Sequence, residues 1–170
     1  MDKPRTEHGM DAGGSRVAVM GGGTMGSGIA YVTARAGLAT ALYDVLPEQL
    51  DKARAYHAKT LAREVEKGRA TQADADATAA RISYTSDLAQ AVTGVDLVIE
   101  AAPENIELKK KLFRDMEPLV SEGAILGSNT SSLPITEIAT AVKKRDRVVG
   151  IHFFNPAPVM QLIEIIRAVE

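Results

Sequence analysis

Short apolar runs alternate along this chain with longer stretches in which apolar residues recur every three or four positions. The runs at 17–20, 39–43, 82–84, 95–100, 124–128, 147–153 and 160–166 read as strands. The intervening segments 24–36, 47–67, 71–80, 87–92, 104–120 and 134–142 read as helices. Local punctuation agrees with these bounds. Gly37 is placed to cap the first helix, Pro47 suits the first turn of the second, and Gly68 stops it. Thr71 followed by Asp74 resembles a capping box. In the segment 104–120, Leu108, Leu112, Met116 and Leu119 are expected to share one face.

Strands that alternate with helices need crossover connections, so the sheet is expected to be mainly parallel with helices on both faces. The expected class is α/β, doubly wound, with two closing strands at the C-terminal end. The 170 residues amount to one domain by length. Residues 1–15 are polar and Gly-rich and are expected to form a disordered tail, leaving 16–170 as the folded unit.

Composition narrows the function classes. Hydrophobic residues make up 45%, with no Trp and few Phe or Tyr, so the core is built from Ala, Val, Ile and Leu. Twenty basic residues against 22 acidic ones leave no positive excess to hold a polyanion, which argues against a nucleic-acid partner. The absence of cysteine excludes disulfides, thiolate nucleophiles and Cys-type zinc sites. No metal site is expected. No apolar run approaches the ~20 residues of a membrane span, and the N-terminus lacks the apolar stretch of a secretory signal. A soluble, cytoplasmic domain is the expectation.

The glycine cluster after the first strand carries chemistry. Gly21-Gly22-Gly23-Thr24-Met25-Gly26 fits G-x-G-x-x-G, and it comes after a strand and opens a helix. Gly21 allows the tight turn, Gly23 the approach of backbone to a pyrophosphate, and Gly26 the close packing of helix on sheet. The phosphates would sit at the helix N-terminus, with Thr24 and Met25 beside them. Asp44 ends the second strand, where a carboxylate accepts hydrogen bonds from an adenosine ribose and repels a 2′-phosphate. The next residues, Val45 and Leu46, supply no Arg for such a phosphate, so NAD is favoured over NADP. The bland alternative is a turn that binds nothing, with Asp44 merely capping the segment after it.

Four blocks taken together, VAVMGGGTMGSGIA, DLVIEAAPENIELKKKLF, SNTSSLPITEIA and GIHFFNPAPVMQLIEII, resemble the L-3-hydroxyacyl-CoA dehydrogenase family, including bacterial 3-hydroxybutyryl-CoA dehydrogenases. The resemblance covers residues 16–170 and implies a Rossmann-type domain. It also implies hydride transfer between NAD and C3 of an acyl-CoA, as in β-oxidation. Gly21, Gly23, Gly26 and Asp44 match the family's dinucleotide site. Glu104, Lys109 and Asn155 match positions near the cofactor, and Ser131 a serine beside both nicotinamide and substrate. His152 matches the catalytic base and Glu164 its partner. Thr60 and Lys67 match positions that touch CoA.

Physical reasoning leaves alternatives open at these positions. Glu104 suits a helix N-terminus and Lys109 a solvated helix face. Ser132 could cap the next helix while Ser131 faces the cleft. His152 and Glu164 could be a core histidine and an edge-strand acid, and Asn155 a plain turn residue. If the pair is catalytic, a buried carboxylate on one ring nitrogen fixes the tautomer and steadies the imidazolium. The family continues into a helical C-terminal domain that supplies a catalytic asparagine, much of the acyl pocket and the dimer interface, and this sequence stops at Glu170. The expectation is therefore a domain that binds NAD(H) but turns over poorly alone. Self-association, or a C-terminal partner domain, would cover the exposed interface. The competing classes are a non-catalytic dinucleotide-binding module and a dehydrogenase of another 3-hydroxy acid.

Overall fold

The computed structural model describes residues 14–168, so most of the expected tail lies outside the described residues. The chain forms β1 (Arg16–Met20), α1 (Thr24–Arg35), β2 (Ala39–Tyr43), α2 (Pro47–Glu66), α3 (Gln72–Ala80), β3 (Ile82–Thr85) and α4 (Leu88–Val92). It continues through β4 (Leu97–Glu100), α5 (Ile106–Met116), β5 (Ile125–Ser128), α6 (Ile135–Ala139), β6 (Val148–Phe153) and β7 (Ile163–Arg167). The strands make one sheet in the order β3-β2-β1-β4-β5-β6-β7. All pairs are parallel except β6 with β7, which is antiparallel. Strand order reverses between β1 and β4, the place where doubly wound sheets open a crevice at the strands' carboxyl ends.

Alternation along β1 explains the two layers of core. Val17 and Val19 point to one side with Ile29, Leu42, Leu50 and Phe153. Ala18 and Met20 point to the other with Val98, Phe113, Met116, Leu126 and Ile138. Central strands buried on both faces read as continuous apolar runs, which is why the sequence marks them clearly. The capping box of α3 is present, with Thr71 and Asp74 bonded reciprocally.

Two expectations fail in α5. The helix is shorter than 104–120, because Asn105 caps it through its side chain on the Leu108 N–H while Glu104 is held in the preceding loop. Its buried face is Lys109, Phe113 and Met116. Leu108 and Leu119 are both 37% exposed. Leu108 and Leu112 instead line the crevice at the strand ends. The apolar periodicity there records the wall of the crevice together with the core.

Candidate functional site

The crevice at the carboxyl ends of β1, β2 and β4 is a cleft of about 600 Å³. Gly21, Gly23, Thr24, Met25, Asp44, Glu104 and Lys109 all contribute to its wall, with Leu46, Leu108 and Leu112 as apolar lining.

The glycine turn has the shape of a phosphate cradle. Gly21 sits at φ +116°, and a Cβ there would lie 2.7 Å from the Ala101 carbonyl oxygen. A Cβ on Gly26 would lie 1.7 Å from the Gly21 carbonyl oxygen, so only glycine lets α1 start this close to the turn. A Cβ on Gly23 would meet nothing within 4 Å, which leaves its backbone open to a ligand. α1 has no acidic residue in its first turn and no side-chain cap, so its N-terminal N–H groups and dipole are available to an anion.

Asp44 ties the second strand to this turn. Its Oδ2 accepts from the Gly22 N–H at 2.7 Å and its Oδ1 from the Leu46 N–H at 2.9 Å. These two bonds leave acceptor capacity unused, since a carboxylate has roughly four acceptor positions. The residues present fit a dinucleotide: an open glycine backbone at a helix N-terminus, a carboxylate at the end of β2, and an apolar wall between them.

Beyond the cleft, the carboxyl ends of β4 and β5 carry a polar network. Glu104 receives the Thr130 hydroxyl at 2.8 Å and the Ser131 N–H at 3.0 Å. Ser131 is exposed beside the cleft mouth, and its partner is this backbone bond to Glu104. The capping expectation for Ser132 is corrected: α6 has no side-chain cap, and Thr130 Oγ1 accepts from the N–H groups of Ser132 and Leu133. Lys109 is not a solvated helix charge. It is 1% exposed, with its ammonium 2.7 Å from Glu100 and 3.0 Å from the Ala102 carbonyl.

At the far side of the network, His152 and Glu164 are register partners across β6 and β7. His152 Nδ1 lies 2.9 Å from Glu164 Oε2, and the ring packs against Phe154 at 4.5 Å between centroids. The expectation of a buried carboxylate is overturned: the Glu164 side chain is 49% exposed. β7 is an edge strand whose residues are all exposed. The histidine hairpin is joined to the rest through the Phe153 N–H, which donates to Asn129 Oδ1 at 2.8 Å, and Asn129 lines the cleft. The turn after β6 also rests on α1, where a Cβ on Gly28 would meet Ala157 and Pro158 at 3.3 Å.

Residues 16–170 match the family model described as the 3-hydroxyacyl-CoA dehydrogenase, NAD binding domain. The chain belongs to this family. It is 44% identical over 152 residues to a probable 3-hydroxybutyryl-CoA dehydrogenase of Bacillus subtilis, covering 89% of this chain and 53% of the relative. It is 40% identical to the human mitochondrial hydroxyacyl-coenzyme A dehydrogenase, covering 89% of this chain and 50% of that protein. Among solved structures, the (S)-3-hydroxybutyryl-CoA dehydrogenase of Ralstonia eutropha superposes with a TM-score of 0.87 at 40% identity, covering 91% of this chain and 54% of that one. The chain thus spans about half the length of these relatives. The relatives are longer dehydrogenases, and the matching half is their NAD-binding domain.

Within this dehydrogenase domain, the structure gathers most of the residues singled out from sequence at one edge of the sheet. Gly21, Gly23, Asp44, Glu104 and Lys109 share the cleft, Gly26 lies behind it against the Gly21 carbonyl, and Ser131 is bonded to Glu104. Asn155 is exposed in the turn after β6 and does not line the cleft. Thr60 and Lys67 lie on α2 and at its C-terminal end, outside the cleft wall. Sequence reading missed Glu100, Ser128, Asn129 and Thr130. The available signal was polarity at the end of buried strands: Glu100 closes the run Leu97–Ile99, and Ser128 closes β5 beside it.

One buried histidine belongs to the scaffold. His57 on α2 is 2% exposed, and its Nε2 is 2.7 Å from the Ser27 carbonyl in the first turns of α1. A carbonyl only accepts, so Nε2 carries the proton and Nδ1 accepts from the Tyr84 hydroxyl at 2.7 Å. Burial lowers its pKa.

Proposed function

We propose that this chain is the cofactor-binding and proton-transfer half of an NAD-dependent 3-hydroxyacyl-CoA dehydrogenase. The observation that carries the reading is the His152–Glu164 contact of 2.9 Å on the sheet that also presents the glycine cradle. With Nδ1 engaged by the carboxylate, Nε2 is left to meet a substrate hydroxyl. His152 takes the proton of the 3-hydroxyl as the C3–H bond breaks and the carbonyl forms, and it returns that proton in the reverse direction. Bound NAD⁺ supplies the hydride acceptor, in the cleft of Gly21, Gly23, Gly26 and Asp44. Ser131 faces the reacting oxygen, Asn155 flanks the nicotinamide, and Thr60 and Lys67 serve the CoA portion.

The half-exposed Glu164 favours a second element in the reading, namely that turnover needs a cover over β7. The apolar side chains of Val159, Met160, Leu162, Ile163, Ile165 and Ile166 are exposed there. In our reading a C-terminal partner domain, or a second copy, covers them and completes the acyl pocket. Alone, the chain then acts as a dinucleotide-binding module. Among the described residues no helix is long and apolar enough to cross a membrane. We assign the domain to the cytoplasm.

The test is acetoacetyl-CoA-dependent NADH oxidation, measured with this chain alone and with the C-terminal half of a relative added. The expected result is weak activity alone, restored by the added half and abolished by His152→Ala. Full activity of the chain alone would contradict the requirement for a partner. Retained activity of His152→Ala in the restored enzyme would contradict the assignment of the base. Preference for free 3-hydroxy acids over acyl-CoA would move the substrate class.

A further inference from the structure

The polar network at the ends of β4 and β5 contains a buried acid that the proposed reaction does not use. Glu100 is 0% exposed, and both of its oxygens are occupied. Oε1 accepts from the Ala102 N–H at 2.6 Å and from the Lys109 ammonium at 2.7 Å, and Oε2 accepts from the Ser128 hydroxyl at 2.6 Å. Lys109 therefore has a choice of two carboxylates. Glu100 is in contact, and Glu104 Oε2 stands off at 3.8 Å. Glu104 spends its oxygens elsewhere, on the Thr130 hydroxyl and the Ser131 N–H.

We infer that Glu100 is a positioning residue for the cofactor site: it is the counter-ion that keeps Lys109 from capturing Glu104, and so leaves Glu104 free to hold the Ser131 loop. A buried ammonium without an opposite charge is strongly unfavourable, so Lys109 must pair with some carboxylate. With Glu100 present, the short bond satisfies it. With Glu100 neutral, the nearest remaining carboxylate is Glu104, about one ångström too far to make a hydrogen bond. Closing that gap swings the carboxylate, so that Oε2 leaves Thr130 Oγ1, the atom that also accepts from the N–H groups of Ser132 and Leu133, and Oε1 leaves the Ser131 N–H. The loop from Ser128 to Leu133 would then lose its anchor at Glu104. The Asp44 end of the cleft shares none of these bonds, so the effect is confined to the opposite end. This inference rests on the reading of the cleft as a dinucleotide site only for its consequence on affinity; the coupling itself is a property of the chain without ligand.

The experiment compares the whole chain with Glu100→Gln, Lys109→Met and the double variant. In Glu100→Gln the amide of Ser131 is expected to move upfield in the ¹H–¹⁵N spectrum and to exchange about tenfold faster, because a charge-assisted bond is lost. NADH affinity is expected to fall about tenfold while 5′-AMP affinity stays within about twofold. A general loss of stability would not split the two nucleotides in this way. In the double variant no ammonium competes for Glu104, so the Ser131 amide returns to its original position. Should Glu100→Gln not fold, Lys109→Met decides: its Ser131 amide is expected to stay in place. An unmoved Ser131 amide in Glu100→Gln overturns the inference. So does a double variant as perturbed as the single one, or a Lys109→Met chain in which the amide has shifted. If the unaltered chain binds no NADH, the cofactor reading fails, and the Ser131 amide still decides the role of Glu100.

Discussion

Adding one methyl group at Gly26 is expected to disable the cofactor cradle. The new Cβ would lie 1.7 Å from the Gly21 carbonyl oxygen and 2.9 Å from its carbonyl carbon. Both are backbone atoms, so no side-chain rotation relieves the clash. Merely reaching a tolerable separation requires the turn and the start of α1 to part by about 1.3 Å. Gly21 also donates its N–H to the Tyr43 carbonyl at 2.8 Å, and Gly22 donates to Asp44 at 2.7 Å. The displacement stretches both. Overpacking costs about 1–3 kcal/mol, and weakening a bond to a charged acceptor adds about 1 kcal/mol. For a domain of this size, a total of about 2–4 kcal/mol lowers the melting temperature by roughly 5–15 °C. A shift of about 1 Å at a site built on geometry costs roughly a hundredfold in function. Gly26→Ala is therefore expected to stay folded at room temperature with NADH affinity reduced about a hundredfold, read by thermal melting and fluorescence titration. Affinity within threefold of the original chain would refute the assignment of this turn to the pyrophosphate.

Three further outcomes are expected. His57 is neutral in the fold and its pKa is lowered by burial, so between its folded value and the ordinary 6.5 the unfolded chain binds more protons. Its contribution to stability is full above about pH 6.5 and is lost as pH falls below that value; in urea melts a His57→Gln chain, which can still donate to Ser27 and accept from Tyr84, should lose part of this slope. Asp44→Ser removes the charged acceptor for Gly22, the carboxylate assigned to the ribose end, so NADH should bind at least about tenfold more weakly and the preference over NADPH should shrink, as competitive titration would show. With the C-terminal half of a relative supplied, Glu164→Gln should lower turnover more than NADH affinity, because only the imidazole's orientation and charge balance depend on it.

The fold was legible because its central strands are apolar on both faces and its helices are marked by glycine, proline and capping residues. Thr71 with Asp74 and Gly37 after α1 show how closely such local signals track the backbone. The glycine turn was legible for the same reason, since each glycine answers a steric demand that the sequence states directly. Lys109 was harder. A lysine in Glu-Leu-Lys-Lys-Lys looks like surface, and only tertiary packing delivers Glu100, nine residues back on another element, to its ammonium. Glu164 failed in the opposite direction. Flanked by Ile163 and Ile165 it reads as buried, but those isoleucines are 46% and 64% exposed on an edge strand. Sequence carries the hydrophobicity of that strand without saying what covers it.

The central claim is that this chain holds NAD(H) in the crevice between the glycine turn and Asp44. Calorimetric titration of the chain with NADH and NADPH tests it most directly. One NADH per chain, with NADPH at least about tenfold weaker, is the expected result. No heat of binding from NADH, or equal affinity for the two nucleotides, would contradict it.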